Sequence, residues 1–265
     1  MPGEQIVTEA QLFQVAEGEY DRFMGRYSRA LAPAFADVAG VSAGRHVLDV
    51  GCGPGALTAE LVRRVGADRV SAVDPSEPFV EACARRNPGV RVMQGPAERI
   101  PFADASFNAV LAQLVLHFVS EPAAAVEEMR RVLKPGGVIA ACVWDFSGGM
   151  EMLRAFWVSA LTLDPAAPDE MGNRRFGRDG EIARLFESAE LSSVVSGALE
   201  VEAAYEDFDD LWAGFLGGVG PAGVYCASLN EAARNALREE LRSRLGSPSG
   251  RFSLPARAWY ALGRS

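Results

Sequence analysis

The stretch that decides the fold is VLDVGCGPGALT, residues 47–58. An apolar run ends at an acid, three glycines follow within five positions, and a helical pattern begins at Ala56. Such a turn is typical of nucleotide-binding sites, because glycines let a ligand approach the main chain and the helix start offers free N–H groups. The same letters satisfy G-x-G-x-x-A, the dinucleotide-binding pattern, and a tight turn without a ligand is a further alternative. The turn predicts a nucleotide-like ligand without identifying it.

Apolar, β-branched runs alternate with helix-like segments around this turn. The runs predicted as strands are 46–50, 69–74, 90–94, 107–112 and 137–144, and the segments predicted as helices are 56–64, 78–86 and 121–133. The last helix is expected to end before the Lys-Pro-Gly-Gly sequence that starts at Lys134, because proline and glycine do not continue a helix. Strand–helix alternation of this kind predicts a parallel sheet with helices on both faces.

The outer parts of the chain follow a different rhythm. Helices are predicted at 20–33, 150–161 and 179–189, further strands at 192–204 and 251–262, and a helical insertion at 206–247. Pro255 suggests that the last strand lies at an edge or contains a bulge. The predicted fold is a Rossmann-like, doubly wound α/β domain with a mostly parallel, seven-stranded sheet and a helical lid. Five segments divide it, namely N-terminal helices covering the site (1–40), a cofactor-binding core (41–146), a cap helix, loop and return to the sheet (147–205), the lid (206–247) and a closing strand (248–265).

Composition excludes several classes of function. The chain has 265 residues and a formal net charge of −9, from 35 acids against 26 bases. An acidic surface repels phosphate backbones, so nucleic acid is a poor default partner. Four widely spaced cysteines and two histidines argue against a metal site or a disulfide framework. No signal-peptide pattern occurs in the first 20 residues and no apolar run could span a bilayer, which predicts a cytoplasmic, metal-free protein without a membrane span.

Asp74 strengthens the ligand interpretation. It ends the second predicted strand about 20 residues beyond the glycine turn, where a carboxylate can accept hydrogen bonds from both hydroxyls of a ribose. An Asp before a proline is by itself more often the start of a turn. Together, the glycine turn and Asp74 predict a cofactor that contains adenosine.

Five motifs in order and spacing resemble one family. They are VLDVGCGPG (47–55), VDPS (73–76), GPAERIPFADASFN (95–108), LVLHFV (114–119) and LKPGG (133–137). They resemble class I S-adenosylmethionine-dependent methyltransferases, more narrowly the small-molecule branch that includes the ubiquinone and menaquinone biosynthesis enzymes. The resemblance covers about residues 45–146 and is weak outside them. It implies S-adenosylmethionine as the cofactor and S-adenosylhomocysteine as the product.

The resemblance implies a cofactor site along the ends of the strands. The methionine part is expected to contact Asp49, Gly51, Cys52, Gly53, Gln113 and Leu114. The ribose and the adenine are expected to contact Asp74, Pro75, Ser76, Ala97 and Glu98. Tyr20 and Arg26 are expected to close over the cofactor, with Arg26 as a partner for its carboxylate, although a surface arginine is an equal alternative. Pro96 departs from the family, which often has an acid there.

The implied activity is methyl transfer by in-line displacement. The acceptor is expected to be a small apolar or aromatic molecule, because Phe156, Trp157, Trp212, Phe215 and Tyr225 lie in the cap and lid segments. Packing within a cap explains each aromatic residue equally well. His117 is a candidate general base, with a buried packing histidine as the alternative. A cofactor-binding protein without catalysis and an NAD-type oxidoreductase remain alternatives, and the sequence does not determine the oligomeric state.

Overall fold

The structure is a computed structural model that describes residues 17–168, 171 and 174–265. Residues 1–16 of the predicted N-terminal segment therefore lie outside the described residues. The helices are α1 (Glu17–Tyr20), α2 (Arg26–Val38), α3 (Ala56–Val65), α4 (Glu77–Arg86), α5 (Pro122–Val132), α6 (Glu151–Leu163), α7 (Glu181–Ser188), α8 (Phe208–Leu216), α9 (Gly220–Ser228) and α10 (Glu231–Arg244). The strands are β1 (Val47–Val50), β2 (Val70–Asp74), β3 (Arg91–Gln94), β4 (Phe107–Gln113), β5 (Leu133–Trp144), β6 (Ser192–Tyr205) and β7 (Phe252–Arg264).

The seven strands form one sheet in the order β3-β2-β1-β4-β5-β7-β6. The first five strands pair in parallel, and β7 pairs antiparallel with both of its neighbours. β1 is buried at every position, as expected for a strand covered on both faces. The prediction of a mostly parallel, seven-stranded, Rossmann-like sheet is confirmed.

The strand order places helices on opposite faces of the sheet. The chain moves outward from β1 to β2 and β3 on one side, and from β4 to β5 on the other side. Because such crossovers are right-handed, α3 and α4 cover one face and α5 covers the other. The order also reverses between β1 and β4, and crevices at such reversals are where open α/β sheets bind ligands.

A π-helical turn, Asp21–Gly25, joins α1 to α2. The sequence predicts one continuous helix here, and its helical character is confirmed from Glu17 to Val38. π-Helical turns in natural proteins occur frequently at functional sites. The side chain of Asp21 in this turn forms ion pairs with Arg29 and Arg86, and so ties the turn to α4.

Two local expectations need correction. β5 begins at Leu133, so the Lys-Pro-Gly-Gly sequence lies in an irregular start of the strand, where the register with β4 shifts. β7 is an interior strand between β5 and β6, and β6 forms the edge. Pro255 is tolerated because β5 pairs with β7 only from Ala258 onward, while Pro255 itself pairs with Glu202 of β6.

Candidate functional site

The candidate site lies where four neighbouring parallel strands end. Asp74, Gln113 and Trp144 are the last residues of β2, β4 and β5, and Asp49 is the penultimate residue of β1. Parallel strands in register bring their carboxyl ends to one edge of the sheet. The order β2-β1-β4-β5 therefore places two carboxylates, an amide and an indole along one edge of the sheet. The space at this edge, bordered by Asp49, Asp74, Gln113 and Trp144, is called the crevice.

The glycine turn closes the crevice after β1. Gly51, Gly53 and Gly55 all have positive φ angles, of 69°, 52° and 96°. A Cβ at Gly51 would overlap the side chain of Val115, whereas a Cβ at Gly53 would have no atom within 4 Å. Gly51 is thus required by packing, and Gly53 borders open space, which is where a ligand can approach the main chain.

The N–H groups of this turn already have partners. Those of Gly51 and Cys52 donate to the carbonyl oxygen of Val73, at 2.7 and 3.1 Å. The N–H of Gly53 donates to Oδ2 of Asp74 at 2.8 Å. Main-chain contacts to a cofactor from these residues would therefore use carbonyl oxygens, or would replace the bond between Gly53 and Asp74. The Cys52 side chain packs away from this role, in a buried cluster with Ala72 and Cys83.

Asp74 is 6% exposed and is held by main-chain N–H groups. Oδ2 accepts from Gly53, and Oδ1 accepts from Ser76 at 2.9 Å. Burial raises the pKa of Asp74 to about 6, although these two hydrogen bonds act in the opposite direction. Each carboxylate oxygen has a second lone pair, so both remain able to accept a hydroxyl of a ribose.

Asp49 is buried more deeply than Asp74. Its Oδ2 accepts a hydrogen bond from the Thr58 hydroxyl at 2.6 Å, and its Oδ1 has no partner among the described residues. Burial raises its pKa to about 7, a shift that the Thr58 hydroxyl opposes. A buried carboxylate with an unused oxygen suits a cationic or hydrogen-bond-donating ligand group.

Gln113, the last residue of β4, and Leu114, which directly follows it, border the same crevice. The Nε2 group of Gln113 donates to the carbonyl oxygen of Ser28 at 3.0 Å, while its buried Oε1 has no partner within the described ranges. Leu114 takes a positive φ of 64°, which turns the chain sharply after β4. The Tyr20 hydroxyl lies 3.3 Å from the Ser28 hydroxyl, and the Tyr20 ring packs edge-on against Phe79 at 5.5 Å.

The residues expected to border the adenosine lie close to β2 and β3. Pro75 is exposed, and its carbonyl oxygen accepts from the Gln94 amide at 3.1 Å. Ser76 is half-buried, and its Oγ has no partner in the described part of the chain. Ala97 is buried and Glu98 half-buried, with Glu98 accepting from the N–H of Glu121 at 3.4 Å.

Unpaired buried polar atoms concentrate at this edge. The side-chain atoms without a partner in the described ranges include Asp49 Oδ1, Ser76 Oγ, Gln113 Oε1, His117 Nδ1 and Trp144 Nε1. Buried polar atoms in folded proteins are almost always paired, so such a group indicates a site that a polar ligand completes. An ammonium and ribose hydroxyls match the acceptors Asp49, Asp74 and Gln113. The residues present therefore fit an amino-acid nucleoside cofactor.

Arg26 is engaged elsewhere. Its guanidinium forms a bidentate pair with Asp210 at 3.0 and 3.1 Å, donates to the carbonyl oxygen of Ala204, and lies over the Tyr205 ring. It joins α2 to β6 and α8 instead of facing the crevice. In this arrangement the Arg26 guanidinium is not available to a cofactor carboxylate.

An apolar pocket adjoins the crevice and shares Tyr20 and Leu114 with it. Its cavity volume is about 60 Å³, and it is lined by Tyr20, Phe23, Met24, Leu114, His117, Phe118, Trp144, Phe146, Leu153, Arg174, Val219, Gly220 and Pro221. His117 is 3% exposed, and its ring centroid lies 3.8 Å from that of Phe118 and 5.4 Å from that of Phe146. Burial and the charges of Arg174 and Arg175 hold its pKa well below the usual value, so His117 is neutral.

The predicted aromatic residues of the cap mostly pack on one another. Phe156 stacks on Phe215 at 4.3 Å, and Trp157 and Tyr225 lie beside them. None of the five predicted aromatic residues lines the pocket, and the lid contributes Val219, Gly220 and Pro221 instead. These three belong to the glycine-rich stretch 217–223 and lie at the start of α9. Trp144 and Arg174 were missed, although the first ends a predicted strand and the second begins the basic stretch RRFGR.

The fold and the crevice define a class. A seven-stranded sheet with one antiparallel hairpin at its edge, and a ligand crevice after β1 and β2, is the architecture of class I methyltransferases. Residues 48–141 match the family model for a methyltransferase domain. Residues 48–141 therefore form a methyltransferase domain, which confirms the resemblance found from the sequence in that part of the chain.

Curated relatives match part of the chain. An uncharacterized methyltransferase of Mycobacterium tuberculosis is 40% identical over 133 residues, which are 50% of this chain and 51% of that protein. A demethylmenaquinone methyltransferase of Renibacterium salmoninarum is 42% identical over 111 residues, 42% of this chain and 45% of that protein. The chain thus spans about half the length of the curated relatives it matches.

Solved structures resemble the whole chain in fold. A protein from Anaeromyxobacter dehalogenans, provisionally described as a type II methyltransferase, covers 89% of this chain and 95% of its own, with a TM-score of 0.62 and 23% identity. The [4+2]-cyclase SpnF covers 97% of both chains, with a TM-score of 0.54 and 18% identity. These likenesses show the fold alone, because enzymes of different activity share it.

Neither a membrane-spanning helix nor a metal-binding cluster occurs among the described residues. Within the described ranges, no helix is both long and apolar enough to cross a membrane. The same residues contain no group of three or more His, Cys, Asp or Glu side chains arranged to hold a metal ion.

Proposed function

We propose that this protein transfers a methyl group from S-adenosylmethionine to a small, apolar or aromatic acceptor by in-line displacement. The observation that carries the proposal is the row of unpaired polar atoms along the crevice, next to an apolar pocket that shares Tyr20 and Leu114 with it. The methyltransferase domain at residues 48–141 supports it. The crevice would hold the cofactor and the pocket the acceptor.

The roles of the crevice residues follow from their hydrogen-bonding capacity. Asp74 would accept the ribose hydroxyls, since its two oxygens keep free lone pairs. Asp49 Oδ1 and Gln113 Oε1 would accept from the ammonium of the methionine part. Pro75, Ser76, Ala97 and Glu98 would border the adenosine, and Tyr20 would cover the cofactor from α1.

The bound cofactor supplies a methyl group that its sulfonium has already activated. The chain's contribution is then to align the acceptor and to exclude water, and positioning of this kind lowers barriers by about 7 kcal/mol or more. The aromatic and aliphatic lining of the pocket suits both tasks. A neutral, buried His117 contributes at most a hydrogen bond, because its depressed pKa makes it a weak base.

The first experiment is calorimetric titration of the full chain with S-adenosylmethionine, S-adenosylhomocysteine and NADH in parallel. We expect micromolar binding of the first two and no binding of NADH. Binding of NADH alone would assign the crevice to a dinucleotide and overturn the proposal. Binding of S-adenosylmethionine without methylation of any acceptor in a broad mass-spectrometric screen would favour a cofactor-binding protein without catalysis.

A further inference from the structure

The apolar pocket is lined by two side chains with a buried nitrogen that has no partner among the described residues. The Nε1–H of Trp144 is buried without a partner among the described residues, and an indole N–H can only donate. His117 Nδ1 likewise has no partner there, and His117 is 3% exposed. Leaving such groups unmatched costs about 1–3 kcal/mol each, so a ligand atom that pairs with them binds favourably.

Arg174 is the charged residue among the described residues that line the pocket. Arg174 lines the pocket and lies over the Phe118 ring, with its guanidinium carbon 5.3 Å from the ring centre. Arg175 is anchored nearby by donating to the carbonyl oxygen of Val119 at 2.6 Å. No Asp or Glu occurs among the described residues that line the pocket. A cationic or protonated acceptor group is therefore disfavoured, and an anionic one is stabilised.

We propose that His117, Trp144 and Arg174 form an oxyanion-binding site that selects methyl acceptors with an acidic aromatic or enolic hydroxyl. The inference rests on the proposed function and specifies the acceptor for the same pocket. The aromatic rings of Phe23, Phe118 and Phe146 would enclose the body of the acceptor. The three polar residues would hold its oxygen as the deprotonated form.

The surroundings that lower the pKa of His117 also act on the charge of an acceptor bound beside it. Burial, the larger cause of the lowered pKa of His117, disfavours any charged form, whereas the charges of Arg174 and Arg175 favour ionisation of a hydroxyl bound beside His117. The hydroxyl proton leaves to solvent as the acceptor binds. An oxygen lone pair then forms the bond to the methyl carbon, the carbon–sulfur bond breaks, and the sulfur keeps that electron pair. The products are a neutral ether and a neutral thioether.

An amine fits this site less well. A neutral amine would become a cationic, methylated ammonium beside Arg174 before it loses a proton, and no carboxylate lines the described pocket to receive that charge. Selectivity for the hydroxyl compound over its amine analogue is the measurable consequence.

The test uses 2-naphthol, whose naphtholate form has a distinct absorption spectrum, with the full chain saturated with S-adenosylhomocysteine. We expect the apparent pKa of bound 2-naphthol to fall by at least ~1 unit relative to free 2-naphthol. We also expect 2-naphthylamine to bind at least ~10-fold more weakly, which is about 1.4 kcal/mol. With S-adenosylmethionine, the product expected by mass spectrometry is the O-methyl ether.

Variants separate charge from structure. Arg174→Gln should abolish the pKa shift of bound 2-naphthol, whereas Arg174→Lys should keep most of it. Trp144→Phe removes only the N–H donor and should weaken naphtholate binding roughly 2- to 10-fold. Arg178→Gln is the matched control, because Arg178 lies in the same basic stretch but does not line the pocket.

The outcomes distinguish this inference from the function on which it rests. If S-adenosylhomocysteine binds but 2-naphthol does not, or binds without a pKa shift, the oxyanion site is wrong and the cofactor proposal stands. Equal binding of 2-naphthylamine would also overturn the oxyanion site. Absence of S-adenosylhomocysteine binding would overturn the proposed function itself.

Discussion

Asp49 and Asp74 combine deep burial with incomplete hydrogen bonding. Both pKa values are raised by burial, to about 7 and about 6, so neither carboxylate is fully ionised at mildly acid pH. Burial without full hydrogen bonding makes the ionised form of both carboxylates unfavourable. A cationic ligand with hydroxyl donors would stabilise that ionised form. These two carboxylates are the basis, at the residue scale, of the proposed cofactor site.

Replacement of Asp74 by Ala should weaken binding of S-adenosylmethionine at least ~10-fold. The reason is the loss of hydrogen bonds to a charged acceptor, which contribute about 1.5–3 kcal/mol. Calorimetric titration measures the effect, and Asp68→Ala is the control, because the Asp68 side chain is 79% exposed. Unchanged affinity in a folded Asp74→Ala protein would remove Asp74 from the site.

Gly53 and Gly136 offer a matched pair for testing the glycine turn. Both have positive φ, 52° and 73°, and at both positions an added Cβ would have nothing within 4 Å. Each substitution to Ala should therefore destabilise the fold similarly, by about 1–2 kcal/mol.

Only Gly53→Ala should weaken cofactor binding, because only its Cβ would occupy the crevice. Thermal unfolding and calorimetric titration of both variants check this expectation. Equal affinities in the two variants would place the cofactor away from Gly53.

At the scale of elements, the N-terminal helices connect the site to the rest of the molecule. The π-helical turn brings Phe23 and Met24 to the pocket, and Asp21 in that turn pairs with Arg86 of α4 at 2.7 Å. Further along, Arg26 links α2 to Asp210 of α8. The N-terminal helices are therefore held to α4 of the core through Asp21 and to α8 of the lid through Arg26.

Breaking the link between Arg26 and Asp210 should destabilise the lid more than the core. Removal of one partner leaves a partly buried charge unpaired, and with the Arg26 side chain 17% exposed we expect a loss of about 1–3 kcal/mol after allowance for solvent screening. Arg26→Ala and Asp210→Ala should each lower the melting temperature, and the double variant should lower it by less than the sum.

Additive effects would show that the pair is not coupled. Arg63→Ala is the control, because Arg63 pairs with Glu60 of its own helix and is 68% exposed. A loss of S-adenosylmethionine affinity in Arg26→Ala, but not in Asp210→Ala, would return Arg26 to the cofactor site.

At the scale of the whole molecule, the two buried aspartates link stability to pH. Their pKa values are raised in the folded state above the unfolded value of about 3.9. The folded state therefore binds more protons than the unfolded state between about pH 4 and 7, so these groups lower stability as pH rises through that window. The lowered pKa of His117 acts in the opposite direction up to about pH 6.5. Because two aspartates oppose one histidine, we expect the ligand-free protein to be less stable at pH 8 than at pH 5.

Thermal unfolding at several pH values tests this expectation. Asp49→Asn should flatten the decline, because an amide does not titrate, while Asp68→Asn should leave it unchanged. S-adenosylmethionine should raise the melting temperature more at pH 8 than at pH 5, since it binds the ionised carboxylates. A ligand-free protein that is more stable at pH 8 would show that other groups dominate.

Much of the fold follows from local patterns in the sequence. The alternation of buried strands and helices, the glycine turn and the placement of Asp49 and Asp74 are determined by residues near one another in the chain, which is why all seven strands were predicted close to their observed bounds. The class of protein followed from the same stretch. Pro255 shows the limit of this reasoning, because tolerance of a proline depends on where the neighbouring strand ends.

Only the tertiary structure decided which side chains meet. Arg26 has its partner 184 residues away, and the pocket combines residues of α1, the π-helical turn, β5 and the loop at Arg174. Burial likewise sets the protonation of His117 and of the two aspartates. The sequence determined the architecture and the glycine turn with its two aspartates, because hydrophobic periodicity and turn chemistry are local. Packing between distant segments determined which residues line the pocket.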